Sequence, residues 1–219
     1  MTKTAIPNSP SREDYLDQGD RDLSWLGAKD PIVLFEDWLS QAGKTEPNDP
    51  NAMSLATVDG TGQADVRIVL LKGLDANGFV FYSNAESAKG HQLGAGAKAA
   101  LCFHWKSLKR QVRIRGEVEP VSEAESDAYF SSRARGSRIG AWASQQSRPV
   151  ASKDALVDAV KAVEAQYEGK DVPRPPHWIG WRVRPNAIEF WQDGAFRLHD
   201  RILFTTLEES DWTRTRLFP

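Results

Sequence analysis

Three stretches of the chain carry side chains able to bind or polarise a charged ligand. Arg197-Leu198-His199-Asp200-Arg201 sets two guanidiniums and an imidazole at alternate positions where the chain enters a strand, so a period of two puts Arg197, His199 and Arg201 on one face. Three such groups against a dry core would be very costly, so they face either water or an anionic ligand. Arg67-Ile68-Val69-Leu70-Leu71-Lys72 places a cation at each end of an apolar run. The odd spacing sends the two cations to opposite faces of a straight strand, and joint action needs Lys72 to turn at the strand end. Between Ser131 and Arg148 stand Arg133, Arg135, Arg138 and Arg148 without an acid. That stretch is either a solvated loop or a pocket for a small anion, since the planar guanidinium matches phosphate. Trp105 and Trp142 fall near the basic stretches and suit stacking on a planar ligand.

Other chemistries are set aside by spacing. Gly94-Ala95-Gly96-Ala97-Lys98-Ala99 matches the glycine string of dinucleotide sites, but that mechanism needs a strand before it and a helix after it, and here the order is reversed. No P-loop string occurs, and the serine of Gly136-Ser137-Arg138-Ile139-Gly140 stands one place too early for a nucleophile elbow. His91, His104, His177 and His199 lack ligand spacing among themselves or with Cys102, so no metal is expected. A single cysteine excludes an internal disulfide framework.

The 219 residues suffice for one substantial core, burying about 70% of the open-chain surface. A net charge of −2 builds in no general attraction to nucleic acid or to an anionic membrane. No apolar run approaches the roughly 20 residues that span a bilayer, and the N-terminus lacks a secretory pattern. The expectation is a cytoplasmic protein with small-molecule partners.

The positioning elements follow from periodicity. Residues 1–29 are polar and acidic and are expected to form a mobile N-terminal arm; residues 30–219 are expected to form a single domain. Asp30-Pro31 opens a helix carrying Leu34, Phe35, Trp38, Leu39 and Ala42 on one stripe and ending near Gly43. Strands are expected at 52–58, 66–71, 79–83, 99–105, 111–118, 178–183, 187–191, 198–205 and 212–217, with a short helix at 87–93. Ser122-Glu123-Ala124-Glu125 is a capping box that starts a helix bearing Tyr129 and Phe130. A further helix at 152–167 aligns Leu156, Val160, Val163 and Tyr167. Short strands with tight turns imply an α+β domain, an antiparallel sheet closed as a barrel with helices outside.

Together, these pieces resemble the pyridoxine/pyridoxamine 5′-phosphate oxidase family. The strings that carry the resemblance are RIVLLK (67–72), FYSN (81–84), RQV (110–112), YF..R...S (129–137), IGAW (139–142), QQS (145–147), IEFWQ (188–192) and RLHDR (197–201), with a closing RLFP at 216–219. They stand in the family's order from about residue 30 to the end. The resemblance implies an FMN-binding split β-barrel, antiparallel and Greek-key-like, with peripheral helices, acting as a homodimer. It implies oxidation of pyridoxamine 5′-phosphate or pyridoxine 5′-phosphate by O2 to pyridoxal 5′-phosphate with release of H2O2. Carried over position by position, it implies FMN contacts at Arg67, Ile68, Val69, Leu70, Leu71, Lys72, Tyr82, Ser83, Lys89, Gln111, Gln146, Ser147, Trp191 and Arg201. Substrate contacts are implied at Lys72, Tyr129, Arg133, Ser137, Arg197, Leu198 and His199, with Arg197 and His199 nearest the chemistry.

Two positions depart from the family pattern. Ala88 stands where the family usually has arginine, which removes one cation beside Lys89, and the acidic arm around 12–15 matches the family's basic arm poorly. Two other functions share the barrel: a non-catalytic binder of FMN or pyridoxal phosphate, and a flavin reductase using a nicotinamide cofactor. Arg133, Ser137, Arg197 and His199 speak against the first, and the lack of a convincing dinucleotide feature against the second.

Overall fold

The structure, a computed structural model, describes residues 11–13, 21–94, 97–206 and 211–219. Most of the expected arm lies outside the described residues, as do Ala95 and Gly96 of the glycine string. Residues 11–13 are exposed, whereas Ser24–Gly27 is a 3-10 turn whose Trp25 is buried, its indole N–H donating to Gln192 Oε1 at 2.6 Å. Contact with the core thus begins before residue 30.

Helix α1 (Pro31–Thr45) starts as expected, with Asp30 Oδ1 accepting from the amides of Ile32 and Val33. It runs through Gly43 and buries Leu34, Phe35, Trp38 and Ala42. Phe35 meets Phe79 and Phe103 edge-on at 5.0 and 4.9 Å, and Trp38 meets Phe190 at 5.2 Å. These T-shaped contacts fix the helix against the inner face of the sheet.

Among the described residues that sheet has nine antiparallel strands: β1 (Ala52–Val58), β2 (Ala64–Leu70), β3 (Gly73–Asp75), β4 (Gly78–Asn84), β5 (Lys98–Trp105), β6 (Arg110–Pro120), β7 (Trp178–Gln192), β8 (Asp200–Thr205) and β9 (Thr213–Arg216). The main path runs β2-β1-β5-β6-β7-β4-β3, and β8 and β9 branch from β7. The two strands expected at 178–183 and 187–191 are one strand of 15 residues, continuous through Pro185. One edge of β7 pairs with β6 along nearly its whole length, and the other edge is shared by β4 in its first half and β8 in its second. This division splits the barrel. A register shift between Arg115 and Gly116, which pair with Ala187 and Pro185, leaves Asn186 as the extra residue of a bulge in β7.

The helices lie outside the sheet: α2 (Ala88–Gln92), α3 (Glu123–Ser132), α4 (Arg135–Ala143) and α5 (Lys153–Gln166). Helix α4 is not among the elements that periodicity predicts. Its N-cap, Ala134, makes no side-chain cap bond, so there is no start signal to read. It is held instead by buried Ile139 and by Arg135, which donates to the carbonyls of Tyr167 and Lys170 at 2.6 and 2.7 Å. The stripe expected on α5 is only half-covered, and no residue of that helix is buried.

Candidate active site

A cavity of about 480 Å³ opens between β2, β4, α3, α4 and the start of β7, within the range of small-molecule sites. Edge strand β2 presents Ile68, Val69 and Leu70 to it. Lys72 follows just beyond the strand, where its amide donates to Val80 O at 2.8 Å and turns the chain into the cavity wall. Lys72 thus lines the cavity, whereas Arg67, at the other end of the run, does not. Tyr82 and Ser83 arrive from β4, Lys89 from α2, Tyr129 from α3, Ser137 from α4, and Arg133 and Gln146 from the segments flanking α4.

Local packing explains how these side chains are held. Ser87 caps α2 by accepting from Gly90 N, and a Cβ at Gly90 would stand 2.2 Å from the Ala85 carbonyl oxygen. Only glycine lets this short helix approach the end of β4 so closely. Lys89 Nζ consequently reaches Gln146 Oε1 at 2.7 Å. Burial, aided by the Arg67 charge, lowers the Lys89 pKa from its ordinary value. Two neighbouring cations in a half-buried setting favour an anion between them.

The opposite wall is aromatic. Tyr82 stacks on Tyr129 at 4.1 Å and on Trp178 at 5.1 Å, with interplanar angles of 17° and 7°. Burial, with the Glu125 charge, pushes the Tyr82 hydroxyl up to about 12, so it is neutral and able to donate at physiological pH. The Arg133 guanidinium lies over Trp178 at 4.8 Å, and its NH1 is buried without a hydrogen-bond partner. Burial lowers its pKa as well. A buried donor left unsatisfied costs about 1–3 kcal/mol, more when charged.

The four arginines of the basic stretch therefore part company. Arg135 and Arg138 hold the loop after α5, Arg138 through Asp171 at 2.6 Å, and Arg148 pairs with Glu86. Of the four, Arg133 alone lines the cavity. Neither Trp105 nor Trp142, which suit stacking by sequence, lines the cavity: Trp105 is buried in the core with its N–H on Pro50 O, and Trp142 donates to Pro173 O. The aromatic rings that do line it are those of Tyr82, Tyr129 and Trp178. Trp178 escaped sequence reasoning because a tryptophan opening a buried strand has the pattern of a core residue.

A second group lies apart from the cavity. Gln111, Trp191 and Arg201 stand opposite one another across β6, β7 and β8, so they share one face. His199 packs on Trp191 with ring centroids 4.6 Å apart. Arg201 donates through Nε to Glu189 Oε1 at 2.9 Å and through NH1 to Phe218 O at 2.8 Å. Glu189 is buried and also pairs with Arg113. Arg197 and Leu198 are exposed on the turn before β8, where Phe196 and Arg197 have φ of 55° and 62°. Arg197 thus precedes the strand, and the alternation that was to align it with His199 and Arg201 does not apply.

The remaining residues singled out from sequence sit beside these groups. Arg67 donates to Thr57, to Asp65 Oδ2 at 2.6 Å and to Gln92 Oε1 at 3.2 Å. The Leu71 side chain is in the core. Ser147, at φ 73°, is exposed next to Gln146. Among the described residues no cluster of His, Cys, Asp and Glu could hold a metal ion, and no helix is long and apolar enough to cross a membrane.

Comparison with known proteins places this geometry. Residues 39–167 match the family model described as pyridoxamine 5′-phosphate oxidase, and residues 178–219 match the pyridoxine 5′-phosphate oxidase C-terminal dimerisation region. The chain is 57% identical over 216 residues to the pyridoxine/pyridoxamine 5′-phosphate oxidase of Maricaulis maris, covering 98% of this chain and 97% of that protein. It is 60% identical over 191 residues to the enzyme of the same name from Brucella canis, covering 87% and 94%. Among solved structures, PhzG from Burkholderia lata 383, in complex with tetrahydrophenazine-1-carboxylic acid, superposes with a TM-score of 0.83 at 28% identity, covering 91% of this chain and 98% of that one. A pyridoxamine 5′-phosphate oxidase-related, FMN-binding protein from Nostoc punctiforme shares the fold with a TM-score of 0.69 at 15% identity, covering 88% and 99%. The fold is the split barrel expected from the strings, and the chain belongs to the pyridoxine/pyridoxamine 5′-phosphate oxidase family.

Proposed function

We propose that the protein oxidises pyridoxamine 5′-phosphate and pyridoxine 5′-phosphate with O2 to pyridoxal 5′-phosphate and H2O2, releasing ammonia from the amine, with FMN in a site completed by a second copy of the chain. The observation that carries this reading is the unpartnered, buried Arg133 NH1 in a cavity that also holds Lys72, Lys89 and a stack of three aromatic rings. Cations and hydroxyls for phosphate, together with planar walls for ring systems, fit both ligands. Lys89, Ser83, Gln146 and Arg67 would hold the FMN phosphate side, with Ile68, Val69, Leu70, Leu71, Lys72 and Tyr82 along the flavin. Lys72, Tyr129, Arg133 and Ser137 would hold the substrate phosphate.

FMN, when bound, would supply the redox chemistry as a two-electron acceptor that O2 can reoxidise. The chain's own work is positional. It fixes the substrate phosphate at Arg133, excludes water with the Tyr82–Tyr129–Trp178 wall, and brings the donor carbon to the acceptor, where orientation supplies much of the acceleration.

Gln111, Trp191 and Arg201, with Ser147, would complete the flavin site, and Arg197, Leu198 and His199 would cover the substrate. A homodimer accommodates their separation from the cavity. The match to a dimerisation region contains Trp191, Arg197, His199 and Arg201. Each group is also bordered by exposed apolar side chains, Val66 and Ile68 on edge strand β2 and Leu198 and Phe218 near the second group, as surfaces awaiting a partner are.

The test is spectroscopic. The purified protein should show a flavin spectrum that anaerobic pyridoxamine 5′-phosphate bleaches and O2 restores. A flavin spectrum unchanged by either substrate would contradict the proposal.

Ala88 gives a second expectation. It is exposed, next to Lys89, and Ala88→Arg should add a phosphate cation. FMN should bind about two- to tenfold tighter, roughly 0.5–1.5 kcal/mol for a partly solvated contact. Riboflavin, which lacks the phosphate, should bind as before. Fluorescence-quenching titration of apoprotein with both flavins checks this; equal tightening for both would place residue 88 away from the phosphate.

A further inference from the structure

His199 sits at the end of a tight turn that returns the chain to Asp193. A Cβ at Gly194 would stand 2.0 Å from the Leu198 carbonyl oxygen, Leu198 N donates to Ala195 O, and the two left-handed residues lie between. Backbone in that region costs about 1–3 kcal/mol per residue and persists only where the surroundings impose it. Two groups converge on one ring nitrogen: Gly194 N and Asp193 Oδ1 each lie 3.1 Å from His199 Nδ1.

These contacts exclude each other. The Gly194 amide can donate only to a bare Nδ1, which leaves the neutral ring's proton on Nε2. The Asp193 carboxylate can accept only from a protonated Nδ1, which leaves Nε2 as the acceptor. Asp193 is not a loose surface acid. Its amide donates to Lys109 O at 2.9 Å, and its carbonyl accepts from Arg21 NH1 at 2.7 Å. Of the other charges near this turn, Arg21 and Arg216 both pair with buried Asp200, and Arg197 is exposed. Asp193 is thus the carboxylate at His199, with the Trp191 ring against the imidazole.

We propose that Asp193 is a positioning residue that holds the proton of His199 on Nδ1 and so leaves Nε2 as the proton-accepting nitrogen, the Gly194 amide enforcing the opposite tautomer when the carboxylate is absent. A carboxylate orienting a histidine in this way is a general device of acid–base sites. The kinetic consequence rests on the placement of His199 at the substrate proposed above; the tautomer does not.

The experiment uses FMN-loaded protein labelled with 15N-histidine, read by long-range 1H–15N correlation at a pH where the ring is neutral. The four histidines are assigned with a His199→Gln sample. In wild type, Nδ1 of His199 should carry the proton; in Asp193→Ala it should move to Nε2. The backbone bonds of Asp193 survive that substitution, so flavin content should hold, while kcat/KM should fall at least about tenfold, the size of one charge-assisted hydrogen bond. A proton on Nε2 in wild type, or the same tautomer in both proteins, overturns the proposal. So does a tautomer switch with unchanged kcat/KM; if His199→Gln also leaves kcat/KM unchanged, the placement of His199 at the substrate fails with it.

Discussion

Arg133→Ala should lower kcat/KM for pyridoxamine 5′-phosphate about ten- to a hundredfold while flavin content stays near wild type. One charge-assisted phosphate contact is worth roughly 1.5–3 kcal/mol, and Arg133 offers a buried nitrogen that no protein group satisfies. Arg133→Lys should recover only part of the loss. Lysine keeps the charge, but it gives up the flat guanidinium that lies over Trp178 and the paired donors suited to phosphate. Arg148→Ala is the matched control: its partner is Glu86 and both side chains are more than half exposed, so its effect should stay within about twofold. Steady-state kinetics alongside flavin absorbance checks all three. Equal losses for Arg133→Ala and Arg148→Ala would mean that general surface charge, and not one placed guanidinium, binds the substrate.

The second large effect belongs to Glu189. Its side chain is 8% exposed, and its carboxylate accepts from both Arg113 and Arg201. Removing one member of a buried charge cluster typically costs about 3–5 kcal/mol. Here both arginines keep some access to water, so Glu189→Ala should cost about 3 kcal/mol, or a Tm fall of roughly 6–12 °C for a chain of this size. Glu189→Gln keeps the shape and acceptor oxygen and should cost less. Because Glu189 fixes Arg201, both variants should also weaken FMN binding. Thermal unfolding of the apoprotein separates stability from cofactor loss. A Tm within about 2 °C of wild type for Glu189→Ala would show that the cluster is solvated and contributes little.

Glu189 also shows what period and composition could not convey. Its string, IEFWQ, was legible as a strand, and the strands at 52–58 and 99–105 lie within a residue of the observed β1 and β5. Alternation reports backbone type well because burial of one face imposes it. It does not report which polar residue on the other face meets which partner 12 or 76 positions away, and both Glu189 contacts are of that kind. Helix α4 failed for a different reason: it has no capping side chain and two internal glycines, and tertiary bonds from Arg135 and Arg138 hold it. Most of the cavity residues were reached through the resemblance, whose strings fall on β2, β4, α3 and α4. Trp178 was not, because its partner Arg133 is 45 positions away, and only the fold brings them together.

The separation of Arg133 from His199 within one chain makes the two-copy site directly testable. Arg133→Ala and His199→Ala chains, each purified as a nearly inactive homodimer, are unfolded together, refolded with FMN and assayed. Random pairing makes half of the dimers mixed, and each mixed dimer carries one site with both residues intact if Arg133 works with His199 of the partner subunit. kcat/KM per chain should then recover to about one quarter of wild type, with each variant refolded alone staying at or below about one tenth. If the two residues serve one site within a single chain, every site in the mixture lacks one of them. No recovery in dimers shown by mass spectrometry to be mixed would contradict a site shared between two copies.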